Sequence, residues 1–589
     1  MITPPIPSDA GPAAARIDRR KLIGGAAAGL ALVAADPLAG AGSLHAQGSR
    51  PGAVVSSHRL ATEAGTEVLE AGGTAADAAL AVAAALTVVE PFFSSALGGG
   101  LWGLYFDAES GEVTSVDGVG PVGSLATLED YRARVDSPGI HQANVPGAWD
   151  GWMLWLERYG QLGLGEVLAP AIRLARDGFP VSAEMANYLG SDEAVVRGFP
   201  ESAATYLVDG GPPAQGSIIR LTDLSNTFQA LGEAYEGAGG GRGERIQAAR
   251  DSFYRGPIAE AIVAFSEEYG GYLTLEDFAS FSADILEPIA IDYRDVTVYQ
   301  NPPNSQGIAM LLGLNILKGF DFSELEPVAT DAIHLQVEAI KLAFADRYAL
   351  VGDPAFVDVP VEELLSEAHA EAQRARIDPD AAMAWPISSE LASRRASHTT
   401  TFHVVDQVGN AAAVTSSIGL QFLVVGRTGI HINERNLYFS LEEGNPNVFA
   451  AGKKVRHTSC PYMALRNGRP VILGGNTGVD TQPQGQLQQL MNIVDFGFGA
   501  QEAVDRPRFV STAFPPSTYP HQVANTLQME FGFPDETVGE LQARGHEVVV
   551  GEGIFGSANV IVASTDGTEI AVGAESRTND AAGVVLSGS

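Results

Sequence analysis

Residues 74–90 are almost entirely Ala, Leu and Val around one aspartate, Asp77. Apolar side chains on every side of the helical turn predict a helix buried all round. It is too Ala-rich and interrupted to read as a membrane span. Residues 330–350 keep the helical period with charged residues along one side, which predicts a second, longer helix. Residues 376–398 turn polar and irregular, broken by Pro386. From 399 the period changes. Alternation around Phe402 and Val404, and again from Ala411 to Ser417, predicts two strands. Between them, Gln407-Val408-Gly409 has the form of a three-residue hairpin loop, with Gly last where a bulge requires positive φ. Closing that hairpin on Asp406 and Asn410 pairs Thr399 with Ser417. Further strands are expected over 470–475, 548–550 and 560–564, and helices over 484–496 and 535–544. Helices and strands mixed in this way indicate an α/β or α+β fold.

Composition narrows the picture. A chain of 589 residues with 45% hydrophobic content can bury one large core or several ordinary ones. The net charge of −35 comes from 36 Lys and Arg against 71 Asp and Glu, in a chain only 18% charged. Nucleic acid is excluded as a partner, since phosphate contacts need clustered cations. The charge fits a solvated acidic shell. Cys460 is the single cysteine, which forbids an intrachain disulfide and a cysteine-rich metal site. No metal or other cofactor is expected. At the start, Arg19-Arg20-Lys21-Leu22 precedes a short run of apolar and small residues over 23–35, then Leu44-His45-Ala46. A basic start, a short apolar region and a small-residue cut site over 1–46 read as an export signal of twin-arginine type. The run falls short of the roughly 20 residues a membrane span needs. The mature chain is then expected to be periplasmic or secreted, with no membrane span.

The chemistry concentrates at Ser397-His398-Thr399-Thr400-Thr401. A threonine becomes a nucleophile when it begins a chain, with its own α-amine as base. Nothing ordinary begins a chain at 399, so the hypothesis is self-cleavage between His398 and Thr399. That cut would leave a large subunit, 47–398, and a small subunit, 399–589. β-Propensity alone also accounts for a Thr-rich strand start. Directly opposed side chains lie about 5 Å apart at Cβ, which puts the Ser417 hydroxyl in position to orient Thr399.

Several ordered stretches carry a resemblance. They are Leu69-Glu70-Ala71-Gly72-Gly73-Thr74, Gly98-Gly99-Gly100, Val145-Pro146-Gly147-Ala148, Asn301-Pro302-Pro303-Asn304-Ser305-Gln306-Gly307 and the run 338–347 (EAIKLAFADR). Beyond the threonines come Gly429-Ile430-His431-Ile432-Asn433-Glu434-Arg435 and Gln482-Pro483-Gln484. Over residues 50–585 the chain resembles the γ-glutamyltransferase family of N-terminal nucleophile hydrolases. The resemblance implies an α+β fold, a four-layer αββα sandwich. It also implies a helix-rich large part, a strand-rich small part, and Thr399 as the nucleophile rather than Thr400 or Thr401. It implies an acyl-enzyme passed to water or an amine, within a heterodimer of the chain's own two fragments. The family's backbone oxyanion donors align with Gly478 and Val479.

The substrate grip departs from the transpeptidases of that family. Their carboxylate-binding arginine aligns with Asp117, their aspartate with Tyr438, and their Ser-Ser pair with His457-Thr458. Arg435 is a candidate to hold a carboxylate on the acyl group. Arg435, Arg456-His457-Thr458 and Gln482-Pro483-Gln484 look like the oxamate amidohydrolase-like and acylase-like branch. The substrate is then a small amide or a γ-glutamyl-like compound. A true glutathione hydrolase or transpeptidase is the alternative within the enzyme class, and a non-catalytic ligand-binding homologue is the alternative outside it.

Overall fold

The computed structural model describes residues 50–383, 399–419, 422–551, 553–578 and 580–588. The expected export signal, 1–46, and His398 lie outside the described residues. Two antiparallel sheets dominate. The first, with seven strands, runs in the order Ala582–Leu586, Gly52–Ser56, Thr399–Val405, Ala411–Ser417, Gly100–Phe106, Val113–Gly118, Asp284–Leu286. The second, with six, runs Ile570–Ala574, Ala558–Ala563, Arg469–Asn476, Tyr462–Arg466, Val296–Gln300, Ile289–Tyr293.

Side-chain alternation explains how the sheets stack, because successive residues of a strand point to opposite faces. Ala53, Val55, Leu104, Ala411 and Ala413 meet Met463, Leu465, Leu473 and Ile561 in an apolar layer between the sheets. The intervening residues Val54, Phe402, Val404, Ala412 and Val414 face the helices of the first outer layer. Tyr462, Ala464 and Ile472 face those of the second. This is the αββα sandwich. Strands from both sides of residue 398 share each sheet, so Gly48–Ser589 forms one unit.

The helix expected over 74–90 is Ala75–Val89, and all 15 of its residues are buried. A capping box between Thr74 and Asp77 starts it. Such a cap contributes about 1 kcal/mol. Burying each of its Leu and Val side chains contributes about 1.5–3 kcal/mol, so packing dominates. The helix Thr330–Leu350 also forms, but its charged stripe turns inward. Glu338 and Arg347 are completely buried there. The late helices run Thr481–Val494 and Asp535–Ala543. No helix of the described residues is long and apolar enough to cross a membrane.

Candidate active site

The hairpin has the register that its turn chemistry requires. Asp406 Oδ1 accepts from the N–H groups of Val408, Gly409 and Asn410, and Gly409 takes φ +101°. Seven pairs then run back along the ladder to Ser417 opposite Thr399. The Thr399 and Ser417 hydroxyl oxygens are 3.1 Å apart. Both residues are buried.

Strand alternation separates the three threonines. Thr400 turns to the other face, where its hydroxyl meets Ser57 Oγ (2.6 Å) and donates to the Glu90 carboxyl (3.3 Å). Burial pushes the Glu90 carboxyl up to about 8, with the nearby Glu184 adding to the shift. Thr401 donates to the carbonyl of Val414.

Around Thr399 the second sheet and its following helix complete a cradle. Gln482, in the first turn of Thr481–Val494, donates from Nε2 to Thr399 Oγ1 (3.3 Å). Arg435 donates from Nη1 to Ser417 Oγ and from Nη2 to the Ile418 carbonyl, both at 3.0 Å. Its guanidinium lies 4.2 Å from the centre of the Tyr438 ring, a cation–π contact that holds it flat. So Arg435 and Tyr438 reach Thr399 through Ser417.

His457 is buried close by. Its Nδ1 accepts from the Ser459 N–H (3.1 Å), which puts the ring hydrogen of the neutral form on Nε2. Burial, then the charge of Arg435, holds the imidazole well below its ordinary pKa. Nε2 stands 3.0 Å from where a side chain on Gly100 would begin, and Gly100 pairs with Ser417. His457 Nε2, Thr458 Oγ1 and Ser459 Oγ have no hydrogen-bond partner among the described residues. Three successive buried, unpaired polar atoms are costly unless a ligand or water meets them.

Gly478 and Val479 form the turn into the helix that carries Gln482. Both have positive φ, +96° and +50°. That region is ordinary for glycine and rare for a β-branched residue such as valine. A side chain at 478 would also begin 2.4 Å from Thr481 Oγ1. The Thr481 hydroxyl lies 2.7 Å from each of the Thr477 and Gly478 carbonyls. In a trans peptide the C=O and N–H point oppositely, so these contacts turn the N–H groups of Gly478 and Val479 the other way. Neither amide donates a hydrogen bond among the described residues.

Asp117 shares no hydrogen bond with this group. It pairs with Lys454 (2.7 Å) and accepts from the Val119 N–H. The pair lines a cleft of about 710 Å³ together with Asn304, Asp284 and Asp353. Cys460 is buried beside Gln486, with burial raising its thiol pKa out of the reactive range. His334, Glu338 and His546 also converge. Their polar atoms are already taken, His334 by His546 and the Asp378 carbonyl, and Glu338 by Lys341 and the Met383 N–H. A metal ion there would have to displace Lys341. The cluster is a buried tie between the two sides of residue 398.

Sequence reading did not assign Gln482 or Thr481 to the site. The signal was present in Gln482-Pro483-Gln484, but only the packing of that helix on the Thr399 strand reveals what it touches.

A family model described as gamma-glutamyltranspeptidase matches residues 61–585. The glutathione hydrolase-like YwrD proenzyme of Bacillus subtilis is 35% identical over 525 residues, covering 87% of this chain and 95% of that protein. The acylase ACY 1 proenzyme of a Pseudomonas species is 34% identical, covering 89% and 91%. Among solved structures, the cephalosporin acylase of Bacillus halodurans superposes with a TM-score of 0.80 at 33% identity, covering 94% of this chain and 99% of that one.

Proposed function

The chain belongs to the gamma-glutamyltranspeptidase family, and from that premise we propose that it is a self-processing amidohydrolase with Thr399 as nucleophile. The observation that carries this reading is the cradle of Ser417 and Gln482 around the Thr399 hydroxyl. In the precursor, Thr399 Oγ1 attacks the His398 carbonyl carbon and the acyl group moves from nitrogen to oxygen. Water then hydrolyses the ester, leaving the His398 carboxylate and a free Thr399 α-amine. That amine has a pKa of about 7.7–8, low enough to take the hydroxyl proton near neutrality. The hydroxyl oxygen attacks a substrate amide carbon, the departing amine takes the proton, and an acyl-enzyme ester remains for water or an amine acceptor.

The N–H groups of Gly478 and Val479 receive the oxyanion, a role that requires donors fixed before charge develops. Ser417 orients the nucleophile. Arg435, Tyr438, His457 and Thr458 form the acyl pocket, with the unpaired His457 Nε2–H and Thr458 hydroxyl meeting polar groups of the acyl chain. Asp117, tied to Lys454, cannot act as the carboxylate-binding arginine of the transpeptidases. This favours a simple or distally acidic acyl group over γ-glutamyl. Residues 1–46 direct export to the periplasm or medium. The mature enzyme is a heterodimer of 47–398 and 399–589.

Denaturing electrophoresis tests the reading. The purified protein is expected as two fragments that meet at residue 399, and Thr399→Ala as one uncut chain. A wild-type protein that turns over amides while uncut would overturn the assignment.

A further inference from the structure

Two of the stretches that carry the family resemblance, 301–307 and 338–347, contribute none of the residues assigned above. The structure brings them together at one buried carboxamide. Gln306 is fully buried. Its Nε2 donates to the Thr458 carbonyl (3.0 Å) and to the Val479 carbonyl (2.8 Å). Its Oε1 accepts from Arg347 Nη1 (2.7 Å). Its backbone N–H donates to the His457 carbonyl (2.9 Å). Both amide hydrogens and the amide oxygen are thus engaged.

Arg347 is buried as deeply. Beyond Gln306 it pairs with Asp480, which follows Val479 in the turn, and donates to Ser517 Oγ and the Pro515 carbonyl. Phe344 and Phe514 lie against its guanidinium. Such a planar group, held by four hydrogen-bonded partners and two rings, has one position. Asn304 and Ser305 add bonds to the carbonyls of Val455 and Ser459. The 304–306 segment therefore lies along 455–459 and fixes it.

We infer that Gln306, backed by Arg347, is the positioning device for the oxyanion turn and the acyl pocket at once, joining them across the processing site. Gln306 and Arg347 belong to the large side, and Thr458, Val479 and Asp480 to the small side. Valine at positive φ is strained and persists only where its surroundings over-determine it. The Gln306 bond to the Val479 carbonyl, with Thr481 on the Gly478 carbonyl, supplies that constraint. This inference rests on the proposed role of Gly478 and Val479 as oxyanion donors.

The test compares Gln306→Leu and Arg347→Lys with wild type in two measurements. Hydrogen–deuterium exchange of a peptide spanning 476–482 reads the turn itself and needs no activity. Exchange there is expected to rise at least tenfold in Gln306→Leu and less in Arg347→Lys, which keeps a cation beside Asp480. Unchanged exchange overturns the inference. The second measurement is turnover per active site titrated by acyl-enzyme burst, which discounts misfolded protein. Gln306→Leu is expected to lose about 10²–10³-fold in kcat, the scale of one lost oxyanion donor, and to raise KM as the His457–Thr458 segment of the acyl pocket loosens. Faster exchange with an unchanged rate per titrated site also overturns it. Should wild type show no Thr399-dependent turnover, the functional reading falls, and the exchange measurement alone decides whether the clamp exists.

Discussion

Thr399 and Ser417 face each other across an antiparallel ladder, with their hydroxyl oxygens 3.1 Å apart and Arg435 bonded to the far side of Ser417. A hydroxyl held between a cation and a second hydroxyl has little rotational freedom. Ser417→Ala removes the orienting bond and leaves Arg435 with an unpaired donor, while the Ile418 carbonyl still anchors it. We expect kcat to fall by about 10–100-fold with KM changed by less than about threefold, the pattern of an interaction that matters at the reacting centre. Steady-state kinetics that show KM alone rising would refute this.

Val479 occupies the turn with a backbone conformation that disfavours its own side chain. If the oxyanion is met by backbone N–H groups, the valine side chain is dispensable. Val479→Gly is expected to keep kcat within about threefold of wild type. Relief of φ strain of about 1–2 kcal/mol offsets most of the packing lost from the apolar cluster that Val479 belongs to. A loss of 100-fold or more would place a function in the side chain.

On the proposed reading, Asp117, paired with Lys454, replaces the arginine with which transpeptidases grip the substrate carboxylate. γ-Glutamyl-p-nitroanilide is accordingly expected to show kcat/KM at least about 100-fold below the best simple N-acyl anilide, equivalent to some 2.7 kcal/mol of missing recognition. Comparable rates for the two would show that another cation takes the carboxylate.

Glu90 gives a pH signature. Its carboxyl is raised by burial to about 8 in the folded chain, from an ordinary value near 4.5. The folded state therefore holds a proton that the unfolded state has released between those values. Stability is highest below about 4.5 and falls as pH rises toward 8, by up to about 1.4 kcal/mol per pH unit for one group. Glu90→Gln keeps an acceptor for Ser57 and Thr400 but cannot ionise, so its loss from pH 5 to 8 should be smaller. Denaturation of uncut Thr399→Ala protein with and without the second change measures this, and parallel pH profiles would exclude Glu90 as the source.

The parts legible in the sequence were those settled by neighbours along the chain. The Asp406–Asn410 turn and the period-two pattern beside it determine the hairpin, and the hairpin determines that Thr399 meets Ser417. The all-apolar pattern of 74–90 likewise determines a buried helix. The 330–350 stripe shows where local pattern stops being enough. Its period was legible but its direction was not, because a buried charge is stable only with partners such as Asp480 and Gln306 for Arg347. Those partners lie more than 40 positions away in the chain.

The same limit applies around Thr399. Arg435 stands out in the sequence as a candidate carboxylate ligand, and Gln482 and Gln306 only within stretches that carry the family resemblance, but nothing local shows what any of them bonds. Their roles follow from two stacked sheets and the helices against them, which bring the Thr399 strand, the 478–482 turn and the 304–306 segment into contact. The sequence by itself determined the hairpin that sets Thr399 opposite Ser417, because short-range hydrogen bonding and backbone conformation fix it. Only the tertiary structure decided what surrounds them, because long-range packing alone chooses which buried donor meets which acceptor.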